Sequence, residues 1–442
     1  MTRKLFISAL LAVATTASVH AGGLMTNTNY HIAFDRMFAR GASTEIDAAY
    51  SNPAGLAWTH EGWQLSLNFQ KPWQYRNIEA VTTAGSQKFE GKASAPIVPA
   101  LFASYKKGDW AFSTMIGIVG SGGFVEYKDG VPMFNMLMAG MLSQMNIMPG
   151  SYTIDSEMKG KQYIYGGQFN ITRKIGDNFS ASVGLRANYY DGYYRGHVKA
   201  NGHAQLGDLT NLELDVDQRG WGFAPIVSVN YHKGPLTIGA RYEFRTKIET
   251  ENKTNLLNAD LGTNLKAVLM QTNPAALQTI ATTLDGYTAE YKDGVKTRYD
   301  MPALFVAAVG YEFTKKFRGT LEYHFFDDKN AQMAGDRQKE LKHGTHEILA
   351  GVEYDINDKF TVSCGGQRTD YGLSDEYQKD TSFACDSYSV GFGGAWNINE
   401  KLRLNVSYFC SLYSDYTKPT SYGSEVFSRT NHVVGVGIDY KF

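Results

Sequence analysis

The sequence predicts an all-β membrane protein, an antiparallel β-barrel of about 14 strands. Three observations support this fold class: segments in which apolar and polar residues alternate, aromatic residues at the ends of many of these segments, and a final segment that ends in Phe442. Alternation with a period of two is typical of strands that have one apolar and one polar face. Since only every second residue of such a barrel faces lipid, the low mean hydropathy of −0.32 is compatible with it.

The first 21 residues have the pattern of a secretory signal peptide. Arg3 and Lys4 precede an apolar core over residues 5–13, which is too short to span a bilayer as a helix, and residues 19–21 resemble a cleavage site. We therefore expect an exported chain that starts at Gly22. Beyond residue 21, no apolar run approaches the roughly 20 residues of a transmembrane helix.

The alternating segments begin at Trp63. Over residues 236–245, one face carries Leu, Ile, Ala, Tyr and Phe, and the other carries Thr, Gly, Arg, Glu and Arg. A soluble sandwich would also alternate, but its closed core would not hold these ionisable residues, whereas a barrel lumen accepts them. Strands are expected to start near residues 63, 97, 110, 161, 179, 214, 236, 298, 317, 345, 360, 386, 402 and 430.

The last strand alternates up to a terminal aromatic residue, Phe442. It resembles the C-terminal strand by which the bacterial barrel-assembly machinery recognises outer-membrane proteins, so this machinery is an expected partner. We expect a monomer in the bacterial outer membrane, in contact with lipid and lipopolysaccharide.

Composition and motifs give little support to other functions. The 43 basic and 44 acidic residues give a net charge of −1, which provides no reason to expect nucleic acid as a partner. Three cysteines lack metal-binding spacing, although a Cys364–Cys385 disulfide is compatible with an oxidising compartment. The histidines are scattered and no GxSxG motif occurs. We expect no enzyme activity, no metal and no cofactor.

Residues 41–58 form a stretch of small residues between the first apolar segment and the first strand. A short helix is expected to end near Tyr50, followed by a turn at Asn52, Pro53, Ala54 and Gly55, with positive φ available to Gly55. Between a signal peptide and a closed barrel, the volume available to this stretch is the lumen. The expected domains are a signal peptide (1–21), an N-terminal hatch or plug (22–60) and the barrel (61–442).

Two segments, about 129–150 and about 252–286, show helical spacing where extracellular loops are expected. They either cover the barrel mouth, lie on lipopolysaccharide or membrane, or form an apolar surface that captures ligands. Met-rich surfaces adapt to varied apolar ligands. The candidate capture residues are Met133, Phe134, Met136, Leu137, Met138, Met141, Leu142, Met145, Leu265 and Leu269.

The third strand is rich in glycine, which weakens a strand and marks a bulge or kink. A tight bend of the barrel and a functional opening in the wall are both compatible with this pattern. The expected kink is at Gly117, Gly120, Gly122 and Gly123.

The motif NPAGLA over residues 52–57, after a signal peptide and before the first strand, resembles the FadL family of outer-membrane transporters of long-chain fatty acids and other hydrophobic compounds. The resemblance extends to the whole layout. It implies a hatch in the lumen, uptake of long-chain fatty acids, and lateral exit at the kinked third strand. Since the sequence shows no energy source, we expect passive uptake, and we expect the stiff Asn52–Pro53 turn to be directed at that kink. Arg186, Arg241, Arg245 and Arg403 are candidates for contact with a carboxylate head group. The alternatives are another hydrophobic ligand (an aromatic hydrocarbon, a steroid or haem) and a porin or adhesin barrel.

Overall fold

The computed structural model describes residues 24–83 and 85–442. The predicted signal peptide lies outside these residues. Eighteen strands form one sheet that closes on itself, because β1 pairs with β18 as well as with β2 and β3. Their bounds are β1 (Gly62–Thr82), β2 (Gly85–Ser94), β3 (Val98–Lys107), β4 (Trp110–Tyr127), β5 (Thr153–Ile175), β6 (Phe179–Asn201), β7 (Thr210–Lys233), β8 (Leu236–Glu243), β9 (Glu249–Leu261), β10 (Lys296–Arg298), β11 (Leu304–Glu312), β12 (Phe317–Phe326), β13 (Thr345–Asp355), β14 (Phe360–Asp370), β15 (Ser387–Asn397), β16 (Leu402–Tyr413), β17 (Tyr416–Thr420) and β18 (Gly423–Lys441).

The wall is a closed antiparallel barrel with 14 strand positions, as predicted. Four positions consist of two consecutive pieces each. Both β2 and β3 pair with β1 and β4, and both β8 and β9 pair with β7. The pieces β10 and β11 pair with β9 and β8, and both β16 and β17 pair with β18. The predicted starts at residues 161, 214 and 430 are too late, since β5, β7 and β18 begin at Thr153, Thr210 and Gly423. These extra residues lie at the extracellular ends of the strands.

The two faces of the wall have the polarity expected in a bilayer. On β1, Leu65 and Phe69 are exposed on the outer face, while Ser66 and Asn68 are fully buried on the inner face. Aromatic pairs occur near the periplasmic edge, for example Trp63 with Tyr105 at a centroid distance of 4.8 Å. An exposed apolar band with aromatic rims around a polar interior is the surface of an outer-membrane barrel. The chain therefore spans an outer membrane.

The N-terminal segment, residues 24–60, lies inside the barrel. It contains helices α1 (Ile32–Met37) and α2 (Ala48–Ser51) and a 3₁₀ helix (Pro53–Trp58). Contacts to the wall surround it: the Ile32 N–H donates to Asn68 of β1 at 3.0 Å, and the Gly41 N–H donates to Glu322 of β12 at 2.6 Å. The segment occupies the lumen and makes hydrogen bonds to opposite sides of the wall.

The NPAG turn differs from the sequence prediction in two ways. The chain continues from Asn52 into the 3₁₀ helix instead of leaving directly for β1. Gly55 is not among the glycines with positive φ. Its lack of a side chain is needed for a close approach, since a Cβ there would lie 2.1 Å from the carbonyl oxygen of Ser43.

The extracellular loops contain three α-helices. Helix α3 (Pro132–Ser143) falls in the first predicted helical segment. The second segment was predicted as one helical stretch from residue 252, but β9 continues to Leu261 and two helices follow, α4 (Thr263–Thr272) and α5 (Pro274–Thr288). Pro274 cannot continue α4 because it lacks an N–H and its ring clashes with the preceding turn. No helix in the described part of the chain is long and apolar enough to cross a bilayer.

Candidate functional site

An apolar groove lies at the extracellular end of the barrel. Helices α3 and α5 form one side of it, and the ends of β5, β6, β7 and β9 form the other. Its volume is about 100 Å³, below the roughly 300–1,000 Å³ of pockets that enclose drug-sized ligands. The groove in this structure therefore does not enclose a long alkyl chain completely. The aliphatic and phenylalanine side chains that line it are Phe134, Leu137, Met158, Val198, Leu212, Leu214, Leu257, Ala259 and Leu284.

The ten predicted capture residues divide into three groups by burial. Only Phe134 and Leu137 line the groove. Met136 is the most exposed of the ten, at 39%. The rest pack α3 and α4 into one apolar cluster with the extracellular strand ends, so the methionines mainly form the interior of a cap over the barrel. Six of the ten are buried and three are partly buried: Phe134, Met138, Met141, Leu142, Leu265 and Leu269, and then Met133, Leu137 and Met145.

Buried tyrosines extend inward from the groove. Tyr194 lines the groove and Tyr190 lies four residues earlier on the inner face of β6. The ring of Tyr190 stacks on Tyr299 with centroids 5.3 Å apart. Tyr190 and Tyr299 belong to one apolar cluster with Ile164 and Met301. These residues were not among the predicted site residues, although Tyr190 and Tyr194, four positions apart, fall on the same face of a strand.

The glycine-rich part of β4 is irregular on both sides. Toward β5, the register shifts between Ile118 and Gly120 and again between Ser121 and Gly123. Toward the other side, β3 pairs with β4 only up to Ile116, and β2 resumes the pairing at Phe124. Residues 117–123 therefore face a gap in the hydrogen-bonded wall. At Gly120, a Cβ would lie 2.4 Å from the carbonyl oxygen of Met25.

The first residues of the N-terminal segment bind the irregular part of β4. Asn27 donates its backbone N–H to the carbonyl oxygen of Val119 at 3.1 Å and its side-chain amide to that of Ile118 at 3.2 Å. The Tyr30 hydroxyl also donates to the Val119 carbonyl, at 2.9 Å. These bonds satisfy carbonyl groups that bulge out of the sheet.

The NPAG turn itself lies elsewhere, against β5, β6 and β7. The Ala54 N–H donates to the Ser228 hydroxyl at 3.0 Å, and the Thr172 hydroxyl donates to the Pro53 carbonyl at 2.8 Å. The prediction that the Asn52–Pro53 turn is directed at the third-strand kink is therefore wrong. The segment around Met25 and Asn27 takes that position.

Apolar side chains cover the gap in the wall. Ala95 and Val98, on the β2–β3 side, pack with Ile118 of β4, and all three are buried. Tyr163 of β5 packs against them. The gap is therefore closed by side-chain packing and by the N-terminal segment, without a continuous hydrogen-bonded ladder.

The four arginines proposed for head-group contact already have partners inside the protein. Arg186 forms an ion pair with Glu243, and Arg403 pairs with Glu45 at 2.6 Å. The remaining two bind elsewhere: Arg245 lies 3.7 Å from Asp300, and Arg241 donates to the Tyr50 carbonyl.

Cys364 and Cys385 are both free, so the disulfide considered from the sequence does not form. Cys364 is exposed and Cys385 is buried. No cluster of potential metal ligands occurs among residues 24–83 and 85–442.

A second loop, residues 371–386, folds into the mouth of the barrel and holds α3. Asp380 accepts a hydrogen bond of 2.6 Å from the Met133 N–H in the first turn of that helix. Burial and the neighbouring Glu425 carboxyl raise the pKa of Asp380 well above its usual range. The groove helix is thus attached to the opposite side of the barrel mouth.

Neither a family model nor a curated protein matches this chain. Its fold does match solved structures. A FadL homologue from Pseudomonas aeruginosa is 13% identical, with a TM-score of 0.66 over 95% of this chain and 100% of that one. The toluene transporter TodX of P. putida is 13% identical, with a TM-score of 0.59 over 90% and 95% of the two chains. The toluene transporter TbuX of Ralstonia pickettii is 12% identical, with a TM-score of 0.53 over 90% and 94%.

At such identities the likeness is one of fold, and it covers nearly the whole of each chain. The FadL homologue is matched over its full length. The chain therefore has the fold of FadL-type outer-membrane barrels.

Proposed function

We propose that this protein takes up hydrophobic small molecules across the outer membrane by passive diffusion, with long-chain fatty acids as the first candidates. A ligand enters the groove beside α3, passes along the buried tyrosines, and leaves sideways through the gap beside β4. The observation that carries this proposal is the chain of contacts from Tyr194 in the groove to Gly120 at the gap. Along it, Tyr190, Tyr299 and Met301 belong to one apolar cluster.

A lateral route suits an apolar ligand because the ligand never has to enter a water-filled lumen. Removing apolar surface from water contributes about 25 cal/mol per Å². A ligand that moves from the groove to the bilayer through an apolar interior keeps that contribution throughout. A route through the periplasmic end would cross the ion pairs around Arg40, which binds both Glu45 and Asp47.

Aromatic hydrocarbons are the second candidate ligands. The stacked rings of Tyr190 and Tyr299 offer aromatic faces inside the barrel, and aromatic rings pair favourably in stacked or edge-to-face geometry. Two of the solved structures with this fold are toluene transporters by name. The structure offers no comparable observation for a steroid or for haem.

The N-terminal segment acts as the plug in this proposal. Its hydrogen bonds to opposite sides of the wall oppose steady conductance, so we favour a transporter over a porin or an adhesin. We also propose that the protein is not an enzyme, that it works as a monomer in contact with lipid and lipopolysaccharide, and that the strand ending in Phe442 is recognised by the barrel-assembly machinery.

A disulfide across the gap tests the exit route. A Cβ built at Gly117 lies 3.5 Å from the Cβ of Ala100, within the usual range for a disulfide. In a background without the three native cysteines, we expect Ala100→Cys/Gly117→Cys to lose uptake of labelled oleate and toluene on oxidation and to recover it on reduction.

A matched control joins the same two strands where they already pair. Ser104 and Ser113 are direct neighbours across β3 and β4, so an oxidised Ser104→Cys/Ser113→Cys variant should transport normally. Full uptake through the oxidised Ala100–Gly117 variant would exclude exit at the end of the gap next to Leu101 and Ile116, the last bonded pair of β3 and β4. If cells without the protein take up both compounds as fast as cells with it, the transport function itself is excluded.

A further inference from the structure

A second cavity, the polar cleft, lies at the extracellular surface between α3, β2 and the residues on either side of α3. Its volume is about 570 Å³, within the range of pockets that hold small ligands. Phe134 and Leu137 line the groove, whereas Asn135 and Ala139 line the polar cleft. Since residues three or four apart share a face of a helix, α3 presents one face to an apolar site and another to a polar one.

The lining of the polar cleft combines partly buried apolar side chains with exposed polar ones. Tyr152 and Ile154 pack against the apolar cluster that includes Met138 of α3, so each leaves only part of its surface free. An aromatic surface and several hydrogen-bonding groups therefore border the same space. The exposed polar residues of the lining are Gln87, Lys88, Lys128, Asp129 and Asp155.

Several of these polar groups are not used by the protein itself. Within residues 24–83 and 85–442, the Lys128 ammonium, the Asp129 carboxylate and the Tyr152 hydroxyl make no hydrogen bond or ion pair. The Asn135 amide approaches Gln87 only to 3.5 Å, which is longer than an ordinary hydrogen bond. The polar cleft thus offers donors and acceptors that remain available to a ligand.

A saccharide has the chemistry that this lining requires. Each sugar hydroxyl both donates and accepts, so neighbouring hydroxyls can bind a carboxylate and an amide together. The C–H side of a sugar ring is apolar and packs on an aromatic face, such as the apolar body of a tyrosine. A hydrocarbon would instead cover the polar groups without bonding to them, which costs free energy. The lysines and aspartates balance in charge, so an uncharged sugar fits better than a highly charged one.

The height of the polar cleft indicates where the saccharide comes from. Tyr165, Tyr189 and Trp221 are cross-strand neighbours and form an aromatic rim on the outer face of the wall. Ser156, which lines the polar cleft, precedes Tyr165 by nine residues on β5. At about 3.3 Å per residue and a tilt of about 40°, the polar cleft lies roughly 20 Å above this rim. In an outer leaflet of lipopolysaccharide, sugars surround the wall at that height.

We propose that the polar cleft binds uncharged sugars of the lipopolysaccharide around the barrel, with one sugar ring on Tyr152 and its hydroxyls on Asp129 and Asn135. The inference rests on the proposed contact with lipopolysaccharide and gives that contact a specific site. Because Asn135 and Ala139 belong to α3, a bound sugar also holds the helix that lines the groove.

The test uses the purified full-length protein in nanodiscs that contain no lipopolysaccharide. Core oligosaccharide, released from lipopolysaccharide without its acyl chains, is titrated in and its binding is measured by calorimetry. We expect saturable binding, and Asp129→Ala should weaken it roughly tenfold or more because a hydrogen bond to a charged group is lost. Hydrogen exchange at residues 128–139 and 149–156 should become slower when the oligosaccharide is added.

Asp208→Ala is the matched control, because Asp208 is also an exposed aspartate on the extracellular side but does not line the polar cleft. It should bind the oligosaccharide as the unchanged protein does. Ala139→Trp is a second variant, which fills the polar cleft from α3 without removing a polar group, and it should abolish binding.

Three results would overturn the proposal: no binding by the unchanged protein, full affinity in both Asp129→Ala and Ala139→Trp, or equal affinity for maltohexaose. The last result would assign the polar cleft to saccharides in general and exclude lipopolysaccharide as the specific source. Failure of the proposed transport is measured separately, because the oligosaccharide carries no acyl chain. A protein that binds it but does not take up oleate or toluene supports this inference alone.

Discussion

Replacing Gly365 by alanine is expected to lift the N-terminal segment away from the wall. Gly365 lies on the inner face of β14, and a Cβ there would be 2.0 Å from the carbonyl oxygen of Met37 and 2.6 Å from its carbonyl carbon. Ordinary contact begins near 3.4 Å, so the Met37 carbonyl would have to move by more than an ångström. Such a shift is costly because the Arg36–Glu353 ion pair holds the preceding residue to the neighbouring strand.

The size of the effect follows from the packing. Inserting a methyl group into a close-packed site typically costs about 1–3 kcal/mol. If that cost applies only while the N-terminal segment is packed against the wall, the ratio of molecules with a displaced segment to molecules with a packed one rises roughly 5- to 150-fold. In planar lipid bilayers, we therefore expect the barrel to open to ions more often by this factor, measured as single-channel current steps. The thermal unfolding temperature in detergent should also be lower.

Gly366→Ala is the control, since a Cβ at this adjacent position has only one contact, at 3.4 Å to the Ser389 carbonyl oxygen. Both variants add one methyl group to the same strand, and neither glycine has positive φ. If the two variants show the same conductance and the same unfolding temperature, close packing at Gly365 does not hold the plug.

Three further changes test other contacts of the plug and the loops. Tyr30→Phe removes the hydroxyl bound to the Val119 carbonyl and should weaken the seated state by about 0.5–1.5 kcal/mol, seen as faster hydrogen exchange at residues 25–31. Asp380→Ala removes the acceptor for the Met133 N–H; losing such a helix cap costs about 1 kcal/mol, so proteases should cut residues 129–150 faster. Burial raises the pKa of Asp328 to about 7, so its carboxyl stays protonated in the folded protein at a pH where the unfolded chain has already lost the proton. Stability should therefore fall as pH rises from about 4 to about 7 and then level off, and Asp328→Asn should lose this slope in thermal melts; an unchanged slope would show that another group causes it.

The wall could be predicted from the sequence because its pattern is local. Residues 236–243 alternate strictly and form β8 with its polar side chains inside. The predicted start of β5 at residue 161 is late because the strand extends beyond the membrane. There, both faces meet water or loops, and residues 153–160 no longer alternate clearly.

The contacts of the candidate site depend on partners far apart in the sequence. Whether an interior arginine is free to bind a ligand depends on its neighbours in the barrel: Arg186 is neutralised by Glu243, whereas Arg76 lacks such a partner among the described residues. Both arginines occupy the same kind of position in an alternating strand. Periodicity alone therefore could not show which interior arginine has a carboxylate partner.

The N-terminal segment and the gap beside β4 form one closure. The Val119 carbonyl bulges out of the ladder and receives its hydrogen bonds from Asn27 and Tyr30. In a bilayer, a backbone carbonyl without a hydrogen-bond donor costs several kcal/mol. Moving Asn27 and Tyr30 away from the Val119 carbonyl is therefore unfavourable unless another donor takes their place. Met25 meanwhile covers Gly120, where the apolar interior reaches the gap. On the proposed lateral route, a ligand that displaces Met25 also disturbs the bonds of Asn27, and an apolar ligand cannot replace them. Water or another polar group has to satisfy the Val119 carbonyl while the exit is open, which favours a brief opening and a closed resting state.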